Sequence, residues 1–324
     1  MSEGLTPRAV GSGHVWGLAL AILPRVKVLS TRRYPGTAFE ALEDVEILPL
    51  AAVDGVRDDV EALIVANEPV PFASFPRLRV IANFGVGYDR IDAGAAAAHG
   101  IVVTNTPGVL DDATADLAFA LILAVRRRVV EGDALVRAGG WKTSWSEGGL
   151  AEEVSGSTLG IVGLGRIGSA VARRARGFDM RVLYTRRTSV ETELGEPRGL
   201  DDLLRESDIV SLHMPLTPET TGLIDARCLA LLRDDACLVN TARAEIVDQD
   251  ALIAELASGR IRAGLDVFWN EPDVPSEFRR LPNVVLTPHL GSATRQTREA
   301  MTRLVVDNLL AVERGDQPPN QVAP

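Results

Sequence analysis

The sequence predicts an α/β protein with two domains, and three features support that prediction. The chain has 324 residues, about twice the usual length of one domain. Short β-branched runs alternate with longer helical patterns, which is typical of parallel sheets covered by helices on both faces. A long helical pattern at residues 111–137, followed by a link rich in glycine and tryptophan, divides these runs into two series.

The two series predict five strands and then six. The first five lie at residues 26–30, 45–48, 62–65, 79–82 and 102–104. The next six lie at residues 158–162, 181–184, 209–213, 236–240, 263–266 and 284–286. Helices are predicted at residues 92–99, at 111–137 with Asp111 or Asp112 as the capping residue, and from 292 to about 314.

Composition limits the class of protein. Apolar residues make up 46% of the chain and charged residues 24%, which is typical of a globular protein with a packed core. The 44 Asp and Glu residues outnumber the 34 Lys and Arg residues, and the formal net charge is −10. That balance argues against nucleic acid or an anionic membrane surface as a partner. Cys228 and Cys237 stand apart from any histidine cluster, so we expect no disulfide framework, no metal site and a cytoplasmic location.

Residues 1–24 are predicted to be an N-terminal extension outside the two domains. Their most apolar stretch, residues 15–23, is far shorter than the roughly 20 residues that a membrane-spanning helix needs. No small-residue cleavage site of a signal peptide follows it before the first predicted strand. We therefore expect no association with a membrane.

A glycine motif joins the first strand of the second series to a helical pattern. Gly163, Gly165 and Gly168 have the spacing of a dinucleotide-binding loop, with Leu164, Arg166 and Ile167 between them. The first glycine permits a tight turn, the second lets a pyrophosphate approach the backbone, and the third lets the helix pack on the strand. With six strands in this series, the motif predicts a Rossmann sheet that binds a dinucleotide. A glycine turn used only for packing is the alternative.

The end of the next strand bears on which dinucleotide is bound. NAD-selective sites place Asp or Glu there to bind the ribose 2′-hydroxyl. This chain has Thr185, Arg186 and Arg187 instead, and two guanidinium groups can bind a 2′-phosphate. The sequence therefore predicts a preference for NADP(H), with NAD(H) possible. The alternative is that both arginines are ordinary surface residues.

Several separated blocks resemble the D-isomer-specific 2-hydroxyacid dehydrogenases, and within them the glyoxylate/hydroxypyruvate reductases. The resemblance runs from about residue 26 to residue 318. Besides the glycine motif, the blocks are NFGVGYD at residues 83–89, TNTPGVL at 104–110, HMPLT at 213–217, NTAR at 240–243, GLDVF at 264–268, EP at 271–272 and PHLGSAT at 288–294.

The resemblance implies a reaction and three catalytic residues. A flavodoxin-like substrate domain is expected at residues 25–105 with 291–324, and the Rossmann domain at 106–290, with a hinge where the chain crosses between them. Hydride would pass between a nicotinamide and a small 2-keto or 2-hydroxy acid. Arg243 would hold the carboxylate and ketone oxygens of the substrate. His289 would donate the proton, and Glu271 would hold its imidazole by a hydrogen bond.

The resemblance also implies further contacts. For the cofactor these are His213, Pro215, Thr220, Thr241, Ala242 and Asp266. For the substrate they are the backbone at Val86 and Gly87, Ser292, and Trp141. A homodimer is expected, in which Trp141 either closes the neighbour's substrate pocket or only packs at the interface with Trp145.

Some points of the sequence leave the function open. The family usually has glycine after the catalytic arginine, whereas this chain has Ala244, and a positive φ there would strain the backbone. His99 ends a helical pattern and is interpreted as structural. The alternatives to a glyoxylate/hydroxypyruvate reductase are an NAD-preferring dehydrogenase for another substrate, such as D-lactate or 3-phosphoglycerate, and a corepressor-like protein that senses dinucleotides.

Overall fold

A computed structural model describes residues 26–142, 150–188 and 192–323. The N-terminal extension and Trp145 lie outside these ranges. The described chain forms one five-stranded and one seven-stranded sheet, and all the strand pairings within them are parallel. In these ranges, no helix has the length and apolar character needed to cross a bilayer.

The five-stranded sheet has the strand order of flavodoxin-like folds. Its strands, in the order β2-β1-β3-β4-β5, are β1 (Val28–Ser30), β2 (Val45–Ile47), β3 (Ala62–Val65), β4 (Val80–Asn83) and β5 (Val102–Thr104). All residues of β1, β3 and β4 are buried, because helices and loops cover both faces. Two short helices, α1 (Thr37–Glu40) and α2 (Ala93–Ala98), lie in this part of the chain.

The C-terminal end of the chain returns to this first sheet. The last helix, α10 (Arg295–Glu313), packs on α1 and β4, with Met301, Val305 and Leu309 in the same core cluster as β1 and β4 residues. After α10, Gln321 pairs with Thr104, and the Val322 N–H donates to the Val103 carbonyl at 2.9 Å. The edge of the sheet at β5 is thereby covered.

The seven-stranded sheet has one strand more than the sequence predicts. Its order is β12-β11-β10-β9-β6-β7-β8. The strands are β6 (Thr158–Val162), β7 (Arg181–Thr185), β8 (Glu196–Pro197), β9 (Ile209–Leu212), β10 (Cys237–Asn240), β11 (Arg262–Leu265) and β12 (Val284–Leu286). The missed strand is β8, a two-residue edge strand that contains a proline and therefore has no β-branched run to predict it. With it, the sheet has the strand order of a Rossmann fold, extended by β12.

The helices of this second sheet include one break that the sequence did not predict. They are α3 (Asp111–Arg126), α4 (Val129–Arg137), α5 (Arg166–Ala175), α6 (Leu200–Glu206), α7 (Ala226–Ala230), α8 (Gln249–Ala257) and α9 (Ser276–Arg280). The prediction of one helix at residues 111–137 is wrong, because Arg128 has a left-handed backbone with φ of 53°. The side chain of Arg128 donates to Glu131 at 2.6 Å, which stabilises the new helix start.

The capping residue predicted for α3 is wrong, whereas α2 begins with a side-chain cap. Asp92 accepts the Ala95 N–H at the start of α2, and His99 follows its end with Nδ1 2.8 Å from the Ala95 carbonyl. At α3, however, the capping position is Leu110 and no side chain caps it. Asp111 and Asp112 lie in the first helical turn instead, where negative charge still suits the helix dipole.

Candidate active site

The glycine loop between β6 and α5 has the geometry that a bound pyrophosphate needs. Gly163 has φ of 102°, and a Cβ there would lie 2.7 Å from the His213 carbonyl oxygen. A Cβ on Gly168 would overlap the Gly163 carbonyl oxygen, so α5 packs closely on the loop. A Cβ on Gly165 would meet nothing within 4 Å, and this residue precedes the first turn of α5. Gly165 therefore opens a cradle beside a helix N-terminus, and the loop fits a dinucleotide. Leu164 is buried, whereas Arg166 is exposed and Ile167 is half-buried.

The end of β7 lies beside this loop. The Gly163 N–H donates to the Thr185 carbonyl at 3.0 Å, so Arg186 and Arg187 follow directly from the same edge of the sheet. Both arginines are exposed. A hydrogen bond with Thr217 and its own backbone N–H lower the pKa of Glu219, and the charge of Arg187 contributes to that shift. Glu219, in the loop after β9, therefore lies near enough to Arg187 to feel its charge.

The residues after β9 form a second wall of this region. Burial lowers the pKa of His213 to about 4, and its Nε2 lies 2.7 Å from the Ser211 hydroxyl, so the ring is neutral at pH 7. The Thr220 hydroxyl donates to the Pro215 carbonyl at 2.7 Å and accepts the Thr217 N–H at 2.8 Å. Thr220 therefore shapes this loop through its own hydrogen bonds.

His289 and Glu271 form a direct pair. Nδ1 of His289 lies 2.8 Å from Oε2 of Glu271, and the other carboxylate oxygen accepts the Phe268 N–H at 3.0 Å. Burial alone would raise the pKa of Glu271, but the hydrogen bond and charge of His289, the Phe268 N–H and the charge of Arg243 together outweigh it and lower that pKa. Glu271 is thus held as a carboxylate, and Nε2 of the imidazole is left to act on a ligand.

The turn that carries His289 is built around one buried carboxylate. Oδ1 of Asp266 accepts the Thr287 hydroxyl at 2.6 Å and the Leu290 N–H at 2.7 Å, and Oδ2 accepts the Gly291 N–H at 2.9 Å. His289 has φ of 53°, which is uncommon for a residue with a side chain. Burial raises the pKa of Asp266, while these hydrogen bonds and the charge of His289 oppose the shift. Asp266, predicted as a cofactor contact, thus also fixes the turn on which His289 lies.

Arg243 reaches from the seven-stranded sheet to the five-stranded one. It follows β10, and its Nε donates to Oδ1 of Asp89 at 3.0 Å, while Nη1 donates to the Ala242 carbonyl at 2.8 Å. A Cβ on Gly87 would overlap Nη2 of Arg243 and lie 2.9 Å from its Cζ. Gly87 is therefore required by the guanidinium that lies against it, in addition to the predicted backbone role. Arg243 and Gly87, 156 positions apart in the numbering, come together at this edge.

Asparagine side chains hold the loop at residues 85–89. The Asn83 amide donates to the Gly85 and Gly87 carbonyls at 3.1 and 2.9 Å. The Asn105 amide donates to the Val86 carbonyl at 2.9 Å. These bonds orient the carbonyls of the loop, and the Val86 and Gly87 N–H groups donate to no other group in the described part of the chain. Two adjacent free N–H groups are suited to binding a carboxylate.

The remaining predicted positions differ in their surroundings. Ala242 donates its N–H to the Asn240 side chain at 3.0 Å, and the buried Thr241 hydroxyl has no hydrogen-bond partner within the described ranges. Ser292 is half-buried and follows directly on the Asp266 turn. Trp141 has 64% of its surface exposed.

The alanine after Arg243 causes no strain. Ala244 begins a 3₁₀ turn that ends at Ile246 and is buried, and it is absent from the residues with positive φ. The condition for strain at this position, a positive φ, is therefore not met, and a right-handed turn accepts alanine as readily as glycine. The same turn places Arg243 in an extended conformation with φ of −144°.

Sequence reasoning missed several residues that organise the site. They are Asn67, Asn83, Asp89, Asn105 and Thr287, which act on the predicted residues through hydrogen bonds. Asn83, Asp89 and Asn105 lie inside the sequence blocks quoted above, so their positions carried a signal. Asn67 carried none. In the described part of the chain, no group of His, Cys, Asp or Glu side chains could hold a metal ion.

A nicotinamide-dependent dehydrogenase is the class of protein that this combination defines. The glycine loop fits a dinucleotide at the carboxyl ends of the strands, and the His289–Glu271 pair and Arg243 follow strands of the same sheet at that edge. The family model for the NAD-binding domain of D-isomer-specific 2-hydroxyacid dehydrogenases matches residues 119–291. The glyoxylate reductase of Pyrococcus horikoshii is 48% identical over 318 residues, which cover 91% of this chain and 95% of that protein. The chain belongs to the D-isomer-specific 2-hydroxyacid dehydrogenases.

Solved structures agree with this assignment along nearly the whole chain. A protein from Thermus thermophilus has a TM-score of 0.85 at 45% identity and covers 92% of this chain and 100% of its own. The NADPH-dependent glyoxylate/hydroxypyruvate reductase of Sinorhizobium meliloti, solved with NADP and malonate, has a TM-score of 0.85 at 35% identity. It covers 93% of this chain and 97% of its own. The chain is therefore an NAD(P)-dependent enzyme that acts on 2-keto acids.

Proposed function

We propose that this chain uses NADPH to reduce glyoxylate and hydroxypyruvate to the 2-hydroxy acids, with the D configuration where the product is chiral. The observation that carries the proposal is the 2.8 Å pair of His289 and Glu271, with Arg243 close enough for its charge to lower the pKa of Glu271. The names of the Pyrococcus horikoshii and Sinorhizobium meliloti relatives support this substrate class.

The catalytic residues have distinct tasks in this reaction. A nicotinamide held beside the glycine loop would supply the hydride. Arg243 binds the substrate carboxylate and polarises the ketone oxygen, and the free N–H groups of Val86 and Gly87 bind the same carboxylate. His289 donates a proton from Nε2 to the oxygen as the alcohol forms. Glu271 holds Nδ1, so the ring keeps the orientation that this transfer needs.

We propose that Arg186 and Arg187 select NADPH over NADH. Both are exposed at the end of β7, next to the glycine loop, and no carboxylate stands between Thr185 and Thr188. Replacing both arginines by alanine should raise KM for NADPH far more than KM for NADH. Equal effects on the two cofactors would refute this assignment.

The first test of the function is the initial rate with glyoxylate and with hydroxypyruvate, using NADPH and NADH at matched concentrations. We expect kcat/KM to be at least about tenfold higher with NADPH, which corresponds to about 1.4 kcal/mol. A preference for NADH, or for pyruvate or a phosphorylated keto acid, would replace the proposal by the NAD-preferring alternative. Cofactor binding without turnover of any 2-keto acid would favour the dinucleotide-sensing alternative.

We propose a homodimer formed through α4 and the link after it. Large apolar side chains are exposed there, namely Val129, Val130, Leu135, Val136, Trp141 and Leu150, and so many exposed apolar side chains in one short segment favour an interface. Val136→Glu should give a monomer in sedimentation, and an unchanged dimer would exclude this surface. Trp141→Ala should raise KM for the keto acid in the intact dimer if Trp141 reaches the neighbour's pocket, and should leave KM unchanged if it only packs.

We also propose that the domain division lies near residues 106 and 290, so that the two crossings act as a hinge. The return of α10 to β4 supports this division, and the Arg243–Asp89 hydrogen bond joins the two parts across the cleft. Closure would exclude water from the reacting atoms.

Cys228 and Cys237 are both buried and free, which is compatible with a reducing cytoplasm.

A further inference from the structure

Asn67 lies at the carboxyl end of the five-stranded sheet, two residues after β3. Its backbone is left-handed, with φ of 54°, a conformation that asparagine adopts more readily than most residues. Its N–H donates to Oδ1 of Asn83 at 2.7 Å. Because Asn83 also holds the Gly85 and Gly87 carbonyls, the backbone of Asn67 is tied to the loop that binds the substrate carboxylate.

The side chain of Asn67 bonds two neighbouring residues in different ways. Its Oδ1 accepts the Arg90 N–H at 2.9 Å, and its Nδ2 donates to Oδ2 of Asp89 at 3.1 Å. A carboxylate cannot donate and a backbone N–H cannot accept, so the two partners fix the orientation of the amide. The amide therefore holds Asp89 in one rotamer.

Asp89 passes this constraint to Arg243. While Oδ2 of Asp89 binds Asn67, Oδ1 accepts Nε of Arg243 at 3.0 Å. The Asp89 side chain is 12% exposed and the Arg243 side chain 22% exposed, so solvent screens this pair less than a surface pair. Arg90, the other partner of Asn67, has its guanidinium 4.0 Å from Glu245, which gives a second, more exposed contact between the two sheets. Asn67 thus bonds the side chain of Asp89 and the backbone of Arg90, two residues whose side chains reach residues of the other sheet's loops.

We propose that Asn67 is a positioning residue for Arg243 and acts through Asp89. The inference rests on the proposed function only in assigning the substrate carboxylate to Arg243. If Asn67 loses its amide, Asp89 is free to rotate, and the guanidinium loses the partner that keeps its remaining N–H groups directed at the substrate. The cofactor loop lies on other strands, so cofactor binding should not change.

Two substitutions separate this role from loop stability. Asn67→Asp keeps the acceptor for the Arg90 N–H but sets a second carboxylate against Asp89. Asn67→Gly keeps the left-handed backbone and removes the amide. We expect both to raise KM for glyoxylate about tenfold, with KM for NADPH unchanged. Asp179→Gly, at an exposed residue with φ of 53° far along the chain, is the matched control and should leave both KM values unchanged.

A double-mutant cycle tests the route through Asp89. In an Asp89→Asn background, Asn67→Gly should change KM for glyoxylate less than twofold, because the acceptor that it acts on has lost its charge. The proposal is overturned if Asn67→Asp binds glyoxylate as wild type does, or if the two effects are fully additive. It is also overturned if KM for NADPH rises by the same factor.

Binding of oxalate, a planar analogue of glyoxylate, keeps this test independent of turnover. Calorimetry of the NADP⁺-saturated enzyme should show about tenfold weaker oxalate binding for Asn67→Gly. Unchanged oxalate affinity would overturn the role of Asn67 even if the wild type reduces glyoxylate. Conversely, weakened oxalate binding would support that role even if the wild type prefers another 2-keto acid and the proposed substrate is therefore wrong.

Discussion

Thr287→Val should weaken the turn that carries His289. The Thr287 hydroxyl donates to Asp266 at 2.6 Å, and Asp266 is fully buried. Valine has nearly the same shape but presents a methyl group to the carboxylate. A hydrogen bond to a charged group contributes about 1.5–3 kcal/mol, and the Leu290 and Gly291 N–H groups remain as donors. The turn is therefore weakened without being abolished.

The magnitude follows from this bond. If all of the free energy of this bond is lost from the transition state because His289 is misplaced, kcat falls about 10- to 100-fold, since about 1.4 kcal/mol corresponds to a factor of ten. If it acts on folding alone, Tm falls by roughly 3 to 12 °C for domains of this size. Loss of the hydroxyl also raises the pKa of Asp266 beyond the rise that burial already causes. The acid limb of the kcat profile should therefore move to higher pH.

The assay is kcat and KM for glyoxylate across pH 5–8, with Tm measured on the same preparations. Thr287→Ser is the matched control, because it restores the hydroxyl and should recover most of kcat. We expect KM for NADPH to remain unchanged in both variants. The reasoning is refuted if Thr287→Val keeps kcat within twofold of wild type and also leaves Tm unchanged, or if Thr287→Ser loses as much activity or stability as valine does.

Three further predictions concern the same site. Gly87→Ala should reduce kcat/KM for glyoxylate about 100-fold, because the Cβ would overlap Nη2 of Arg243 and displacement by about 1 Å has that effect; wild-type kinetics would show that the guanidinium can lie elsewhere. His289→Gln should lower kcat by about 10²–10⁴ while fluorescence titration shows normal NADPH binding; turnover like that of wild type would exclude His289 as the proton donor. Because burial lowers the pKa of His213 to about 4, unfolding should bind a proton between pH 6.5 and pH 4, so stability falls as pH falls through that range. His213→Gln should reduce this loss by roughly 3 kcal/mol in denaturant titrations at pH 7 and pH 4, and an unchanged loss would place the effect on another group.

The buried strands were the most predictable part of the fold. The predicted ranges 62–65 and 158–162 coincide with β3 and β6, because strands covered on both faces form continuous apolar runs. The ranges 102–104 and 284–286 also coincide with β5 and β12, although β12 is an edge strand whose residues are only half-buried. The flavodoxin-like order of the first sheet was implied only by family resemblance, whereas the glycine motif and the six strands of the second series predicted a Rossmann sheet. β8 could not be predicted, because its two residues have no apolar pattern. It is a strand only because it pairs with β7 in the folded sheet.

The end of α3 shows where a helical pattern misleads. Apolar residues continue past Arg126 with helical spacing, but the Arg126 side chain is buried and donates to the Glu153 and Asp235 carbonyls. Those acceptors come from distant segments, so nothing in residues 111–137 predicts the break at Arg128. Ala244 is the opposite case, in which the resemblance suggested strain and the local turn removes it.

The sequence by itself determined the parts of the site that local rules govern. The glycine spacing defines a loop whose backbone must turn sharply and admit a ligand. The family resemblance indicates Arg243 and His289, each of which follows the carboxyl end of a predicted strand. The tertiary structure decided how those side chains are held. Asp89 accepts a hydrogen bond from Arg243, 154 residues away in the sequence. Asn67 donates to Asp89, 22 residues away. Such hydrogen bonds depend on where the ends of separate strands approach each other, and neither hydrophobic periodicity nor residue spacing specifies that approach.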